Sequence, residues 1–347
     1  METLTEEERR AASPEPGRAD AEPALRTARR RSQSLALLVA MRPPEWIKNL
    51  LVFAGLLFSQ ELKQGPQVID AAITFLAFCA ISSAGYLVND LRDAPHDRHH
   101  PEKRHRPIAA GELSQGLAGA AAAALTVIAI VIAVLGVSAG VAGLVALYGI
   151  TTVAYSVVLK RLVIIDVMTI ASLFILRVVA GAVAVEAHAS EWLLLCTAML
   201  ALFLGFTKRR QEAMEEIESI PAASSQGAEG GRWPEREART RPGAAGSAPT
   251  RPVLEHYSLP FLDQMVAMVT AGAIMSYAIY AVNSPLIGSK MLATGPSVLY
   301  GIFRYLYLIY DRNDTRSTAA ILTEDPGMVF AGVSWIGTAL LMLYVID

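Results

Sequence analysis
The sequence is short of charge and short of cysteine. Charged residues make up 18% of its 347 positions, where a soluble domain carries about 25%. Only two cysteines occur, Cys79 and Cys196, both inside apolar runs, so neither a disulfide framework nor a zinc site can be built on them. Basic residues show no excess, with 30 Lys and Arg against 32 Asp and Glu and a net charge of −2. These shortages exclude, as readings of the whole chain, a secreted disulfide scaffold, a nucleic-acid-binding domain and a disordered protein. What is abundant is apolar surface. Hydrophobic residues reach 53%, mean hydropathy is +0.39, and the excess is gathered into long, nearly charge-free runs separated by short polar segments. That pattern belongs to an all-α, polytopic membrane protein.

Residues 1–34 are rich in Glu, Arg, Ala and Pro and lack a signal-type apolar core, so they read as a disordered cytoplasmic tail. Residues 35–347 read as one transmembrane domain. About 20 apolar residues span a bilayer at 1.5 Å rise each. Nine segments qualify: 35–60, 66–88, 117–137, 139–159, 162–186, 190–207, 261–282, 296–310 and 327–345. The first is over-long and holds Pro43-Pro44, which predicts an interfacial helix that kinks before crossing. Placing the N-terminus in the cytoplasm puts 24 Lys and Arg on that side and two, Lys63 and Lys290, on the other. Within the sixth connection, 211–255 reads as a flexible cytoplasmic insertion, its stretch from Pro221 to Pro252 being of low complexity.

The dense polar chemistry falls on the cytoplasmic side. At the end of the second segment stands Asn89-Asp90-x-x-Asp93-x-x-x-Asp97, followed by Lys103-Arg104-x-Arg106-Pro107. On a helix, residues at i, i+3 and i+7 share one side, and an amide with three carboxylates suits Mg²⁺, which grips pyrophosphate. Pro95 biases Ala94 away from helical dihedrals, so Asp97 is expected on a loop or a new short helix. A second unit holds Tyr155, Lys160, Arg161 and Asp166 and runs into a segment carrying Arg177. Lys160-Arg161 also fits a plain topology anchor. Asp166 and Arg177 are intramembrane charges, normally paired or functional. Eleven residues place them about 16 Å apart on one helix, so each needs a partner elsewhere. Lys208-Arg209-Arg210 closes the sixth segment and Glu255-His256-Tyr257 precedes the seventh. The first doubles as an anchor, and His256 as an ordinary interfacial histidine. Arg304 with Tyr305 and Tyr307, inside the eighth segment, suggests a polar pocket or a lipid-phosphate contact.

The aspartate motif with its basic continuation, Lys103-Arg104-x-Arg106-Pro107-Ile108-Ala109-Ala110-Gly111, resembles the first aspartate-rich motif of the UbiA superfamily of intramembrane prenyltransferases, and the likeness runs from about residue 40 to 345. Arg42-Pro43-Pro44-Glu45-Trp46-Ile47-Lys48-Asn49 is similar to the branch whose members transfer phosphoribose to decaprenyl phosphate. The family usually shows a second Asp-x-x-x-Asp; here Asp166 stands alone and position 170 is Ile. The resemblance implies a UbiA-type bundle in a bacterial inner membrane and a Mg²⁺-dependent transfer of phosphoribose from phosphoribosyl pyrophosphate to a polyprenyl phosphate. In that reading Asn89, Asp90, Asp93 and Asp97 hold the metal, and Asp90, Asp93, Lys48 and Lys160 serve the chemistry. Asn49, Lys103, Arg104, Arg106, Tyr155, Arg161, Asp166, Arg177, Lys208, Arg209, His256, Tyr257 and Arg304 contact substrates. A second unit shifted from acidic to basic suits a donor with an additional phosphate. The rivals are a prenyl diphosphate transferase acting on an aromatic acceptor such as 4-hydroxybenzoate, and a transporter. No nucleic-acid partner is expected, and a homo-oligomer is left open.

Overall fold
Serines start many of the helices. Ser32, Ser114, Ser138, Ser258 and Ser317 each stand at an N-cap, where the side-chain oxygen accepts from an amide of the first turn. That satisfies a donor the helix cannot pair internally. In the computed structural model, residues 32–58, 65–98, 103–218, 252–283 and 288–344 are described. The expected tail, up to residue 31, and the 219–251 part of the expected insertion lie outside them.

The described residues form helices and no strand. α1 is Gln33–Ala40, then a 3-10 helix spans Pro43–Val52 and α2 spans Phe53–Phe58. α3 is Gly65–Asp97, α4 Gln115–Gly136 and α5 Ala139–Val157. A single 3-10 turn, Leu159–Arg161, leads to α6, Ile165–Ala184, and α7 is Glu191–Glu218. The 3-10 segment Pro252–His256 precedes α8, Leu259–Val282. A further 3-10 helix, Gly288–Thr294, leads to α9, Gly295–Tyr310, followed by α10, Thr318–Glu324, and α11, Pro326–Tyr344.

Among the described residues, six helices are long and apolar enough to cross a membrane, and a seventh crossing is obtained if α10 and α11, bent by 76° at Asp325, count as one span. The first expected segment is broken in three. Arg42 adopts a left-handed backbone (φ 56) ahead of Pro43-Pro44, and the chain restarts as a 3-10 helix. The eighth, α9, has 16 residues. Two boundaries differ from expectation. α3 runs through Pro95 to Asp97 without a break, because Ala94 is packed into a buried cluster with Ala36, Leu87 and Ile108 that overrides the local bias. α7 continues past Thr207 to Glu218, so residues 211–218 of the expected insertion are helical.

Neighbouring helices pack through small residues, as lipid-solvated helices do. α3, α4, α5 and α6 share a buried cluster holding Phe78, Ala129, Ala133, Val145 and Ala180. α7, α8 and α9 share another built on Phe203, Leu262, Val266 and Tyr305. The tightest approach is at Gly181 of α6, where a Cβ would fall 1.8 Å from the Val52 carbonyl oxygen, so only glycine lets the 3-10 segment lie on α6. Large apolar side chains such as Leu76, Val127, Ile150, Met268, Phe303 and Phe330 face outward, where lipid tails solvate them. At 33 residues, α3 is about 50 Å long. That exceeds the roughly 30 Å hydrocarbon layer, and the aspartate motif occupies the polar C-terminal end of that length.

Candidate active site
Helix geometry sorts the three aspartates. Seven residues return almost to the starting direction, whereas three stop about 60° short of it. Asp90 and Asp97 therefore lie in line, both buried, and Asp93 is rotated to one side. The Asp90 and Asp97 oxygens converge on one nitrogen of Arg106, Nη1, at 3.2 and 2.7 Å. Arg42 adds Nη2 to Asp90 at 2.7 Å and lays its guanidinium over the Tyr86 ring. Asp93, turned away, receives Lys160 Nζ on both oxygens, at 2.8 and 2.9 Å. Three carboxylates and three cations thus interleave at the end of α3.

Among the described residues no three His, Cys, Asp or Glu side chains lie close enough to cage a metal by themselves. Mg²⁺ seldom asks for that, being held by one or two carboxylates with substrate phosphates completing the shell. Oxygens of Asp90 and Asp97 already point at one shared positive centre, the Arg106 nitrogen. A hard, all-oxygen donor pair aimed at one point fits Mg²⁺.

A second network lies where α6 begins. Asp166 is 0% exposed and Arg209 2%. Arg209 Nε donates to Asp166 Oδ2 at 2.6 Å, its Nη2 to the Tyr155 hydroxyl at 3.0 Å, and its Nη1 pairs with Glu212. Tyr257 donates to Asp166 Oδ1 at 2.9 Å and accepts from the Ile164 amide at 2.6 Å. Four residues expected to touch substrate, Tyr155, Asp166, Arg209 and Tyr257, are here bonded to one another.

Deeper in the bundle Arg177, 4% exposed, donates to Asn49 Oδ1, the Tyr148 hydroxyl and the Leu173 carbonyl at 2.8, 2.6 and 2.8 Å. Asn49 in turn reaches Ser82 on α3. Arg177 therefore ties the 3-10 segment, α5 and α6 together without a carboxylate. As expected, Asp166 and Arg177 each find a partner elsewhere.

The other candidates divide. Lys48 pairs with Glu45 on its own helix. Lys103, Lys208 and Asn89 are half-buried, while Arg104, Arg161 and His256 are exposed. Arg304 forks onto Asp325 at 3.1 and 2.9 Å, and Asp325 also caps α11 through the Met328 amide. The polar contact expected for that arginine is thus an internal carboxylate. Sequence reasoning missed Arg42 as a partner of Asp90, and missed Glu212, Tyr148 and Asp325. Asp325 carried a signal, an aspartate directly before a proline that opens a helix. Tyr148, one aromatic in an apolar run, carried none.

A profile described as the UbiA prenyltransferase family matches residues 49–227, which include the aspartate motif, Lys160, Asp166, Arg177 and Arg209. The chain is similar to the decaprenyl-phosphate phosphoribosyltransferase of Corynebacterium glutamicum, with 29% identity over 319 residues, 89% of this chain and 87% of that one. To the protein of the same description from Mycolicibacterium smegmatis it is 34% identical over 180 residues, 51% of this chain and 56% of that one. In fold it is similar to a UbiA homologue from Archaeoglobus fulgidus solved with DMAPP and Mg²⁺, with a TM-score of 0.64 at 17% identity, over 91% of this chain and 100% of that one. The helical bundle, the aspartate motif at the end of its longest helix and the profile match agree: this multi-pass membrane chain belongs to the UbiA prenyltransferase family.

Proposed function
We propose that the chain transfers phosphoribose from phosphoribosyl pyrophosphate to a polyprenyl phosphate of the decaprenyl type, releasing pyrophosphate. The observation that carries this reading is the interleaving of Asp90, Asp93 and Asp97 with Arg42, Arg106 and Lys160. A donor with a pyrophosphate at one end and a phosphate at the other needs both signs of charge within its own length. The similarity to two decaprenyl-phosphate phosphoribosyltransferases supports the same substrates.

In this reading Asp90 and Asp97 would hold Mg²⁺, with Asn89 and Asp93 on the adjoining sides of the same helix end. Mg²⁺ held there would supply Lewis-acid stabilisation of the departing pyrophosphate. Arg42 and Arg106 neutralise phosphate oxygens, and Lys160 holds the 5-phosphate as a point charge. The bond from the anomeric carbon to the pyrophosphate oxygen breaks, with the electron pair leaving on pyrophosphate. The lipid phosphate oxygen closes the new bond from the opposite face. That nucleophile is anionic at neutral pH, so no general base is required. In the same reading the active face is on the cytoplasmic side of a bacterial inner membrane, with the N-terminus inside and the C-terminus outside. Nine crossings then need the broken first segment and the 16-residue α9 to cross beside the seven spans of the described residues.

The test is purified protein in detergent with Mg²⁺, labelled phosphoribosyl pyrophosphate and polyprenyl phosphate, where a labelled lipid product is expected. No lipid-linked product, together with turnover of a prenyl diphosphate on an aromatic acceptor, overturns the reading. A reporter fused at the C-terminus and found in the cytoplasm overturns the topology.

A further inference from the structure
One hydroxyl joins the segment before α8 to the candidate site. Tyr257 is fully buried, and its oxygen sits between the Ile164 amide and the Asp166 carboxylate. Burial, and then the neighbouring carboxylate, push its phenol above the ordinary range, so it stays protonated and donates across physiological pH.

The residue gripped by that hydroxyl is strained. Ile164 has φ +69 and ψ −45, and across it the Ile165 amide bonds the Val163 carbonyl at 2.8 Å. This is a γ-turn of the rare positive-φ kind, in a region that a β-branched residue avoids. Such a conformation persists only where its surroundings over-determine it. Here they are the Tyr257 hydroxyl on one side and the Asp166–Arg209 pair, which anchors the first turn of α6, on the other. The γ-turn sets the direction of the chain between α6 and the Leu159–Arg161 turn, and that turn carries Lys160 onto Asp93.

We infer that Tyr257 is a positioning residue: by holding the Ile164 γ-turn it places the Lys160 ammonium on the aspartate motif, and so sets the affinity for the phosphate end of the donor. This rests on the reading of Lys160 given above. Tyr257 itself is 0% exposed and bonded on both sides, so it acts through the turn and not on substrate.

The experiment uses the full chain in detergent and compares Tyr257→Phe, Ile164→Gly and the double variant. Losing one net hydrogen bond's worth of positioning predicts roughly a tenfold rise in donor KM for Tyr257→Phe, with kcat and lipid KM within about twofold. Glycine takes positive φ at no steric cost, so the double variant returns donor KM to within about threefold of the parent. A purely structural role predicts a lower melting temperature in Tyr257→Phe with donor KM, lipid KM and kcat moving together, because glycine at a strained positive-φ position can restore stability under either role. Donor KM unchanged in Tyr257→Phe, or still raised in the double variant, overturns the proposal. Hydrogen exchange over residues 159–166 reads the clamp without any substrate: roughly tenfold faster exchange at that turn is expected in Tyr257→Phe, and no change overturns the proposal. Failure of the parent protein to turn over phosphoribosyl pyrophosphate rejects the functional reading separately, leaving the exchange measurement to decide the role of Tyr257.

Discussion

Removing Arg209 should harm this protein more than removing the aspartate it pairs with. In Arg209→Met, Asp166 stays fully buried, keeping the Tyr257 hydroxyl and losing the guanidinium at 2.6 Å. A buried charge stripped of its partner costs about 3–5 kcal/mol. In Asp166→Asn the amide oxygen can still accept from Tyr257, and Arg209 keeps Glu212 and the Tyr155 hydroxyl. One charge-assisted bond is then weakened, at about 1–2 kcal/mol. The double variant no longer buries Asp166 as an orphaned carboxylate, although Glu212 still loses its arginine, so its loss should fall short of the sum by about 2 kcal/mol. Thermal unfolding in detergent reads all three. At about 2–4 °C per kcal/mol for domains of moderate size, Arg209→Met should melt roughly 10 °C below the parent and well below Asp166→Asn. Equal losses in the two single variants, or strict additivity in the double, would refute the assignment of this contact as a buried pair with an asymmetric reserve of partners.

Asp90→Asn removes the carboxylate on which Arg42 and Arg106 meet; turnover should drop at least about a hundredfold and the Mg²⁺ needed for half-maximal activity rise about tenfold or more. An unchanged Mg²⁺ titration would remove Asp90 from the metal site. Arg177→Lys replaces a fork that reaches three acceptors on different elements with a single ammonium. It should lower stability by about 1–3 kcal/mol for each acceptor left bare, read as a fall in melting temperature. Gly181→Ala drives a methyl into the Val52 carbonyl, so it should cost more than about 3 kcal/mol or keep the protein from accumulating in membranes. Gly143→Ala, where a Cβ meets nothing within 4 Å, should be neutral or stabilising by up to about 1 kcal/mol in the same expression and melting assays.

The class of the fold was legible because a bilayer imposes one rule on every segment: apolar length. The aspartate motif was legible in Asp90 and Asp97, whose spacing of seven puts them in line while Asp93 turns aside. The break at Arg42 was legible because two prolines follow it with no buried packing to override them, as Ala94 has at Pro95. What stayed hidden were pairings between distant positions. Lys160 with Asp93, Asp166 with Arg209 and Arg177 with Asn49 are 67, 43 and 128 residues apart, and no local pattern encodes such contacts. For the same reason cations expected to wait for phosphate turned out to hold carboxylates. Hydropathy also ended α7 too early. Beyond Thr207 its polar residues are packed against partners, Arg209 on Asp166, Arg210 on Asp263 and Gln211 on the Asp314 carbonyl. A helix with several polar side chains held by neighbours persists without a continuous apolar face.

The pairing of Arg304 with Asp325 bears on how the chain enters the membrane. In the proposed topology α9 crosses the bilayer with only 16 residues and an arginine near its middle, which by itself costs about 2.5–3.5 kcal/mol on insertion. Its neutralising carboxylate lies 21 residues later, at the start of α11, and Gly327 beside it leaves room for the guanidinium. Ser297 and Ser334 join the same two helices further along, at 2.8 Å. A nascent chain that stopped after Tyr310 would present an unpaired charge to lipid. α9 should therefore wait at the translocon for α11 and be released with it as a hairpin, so that the last two crossings form a single unit of biosynthesis, although each is a separate helix in the finished bundle.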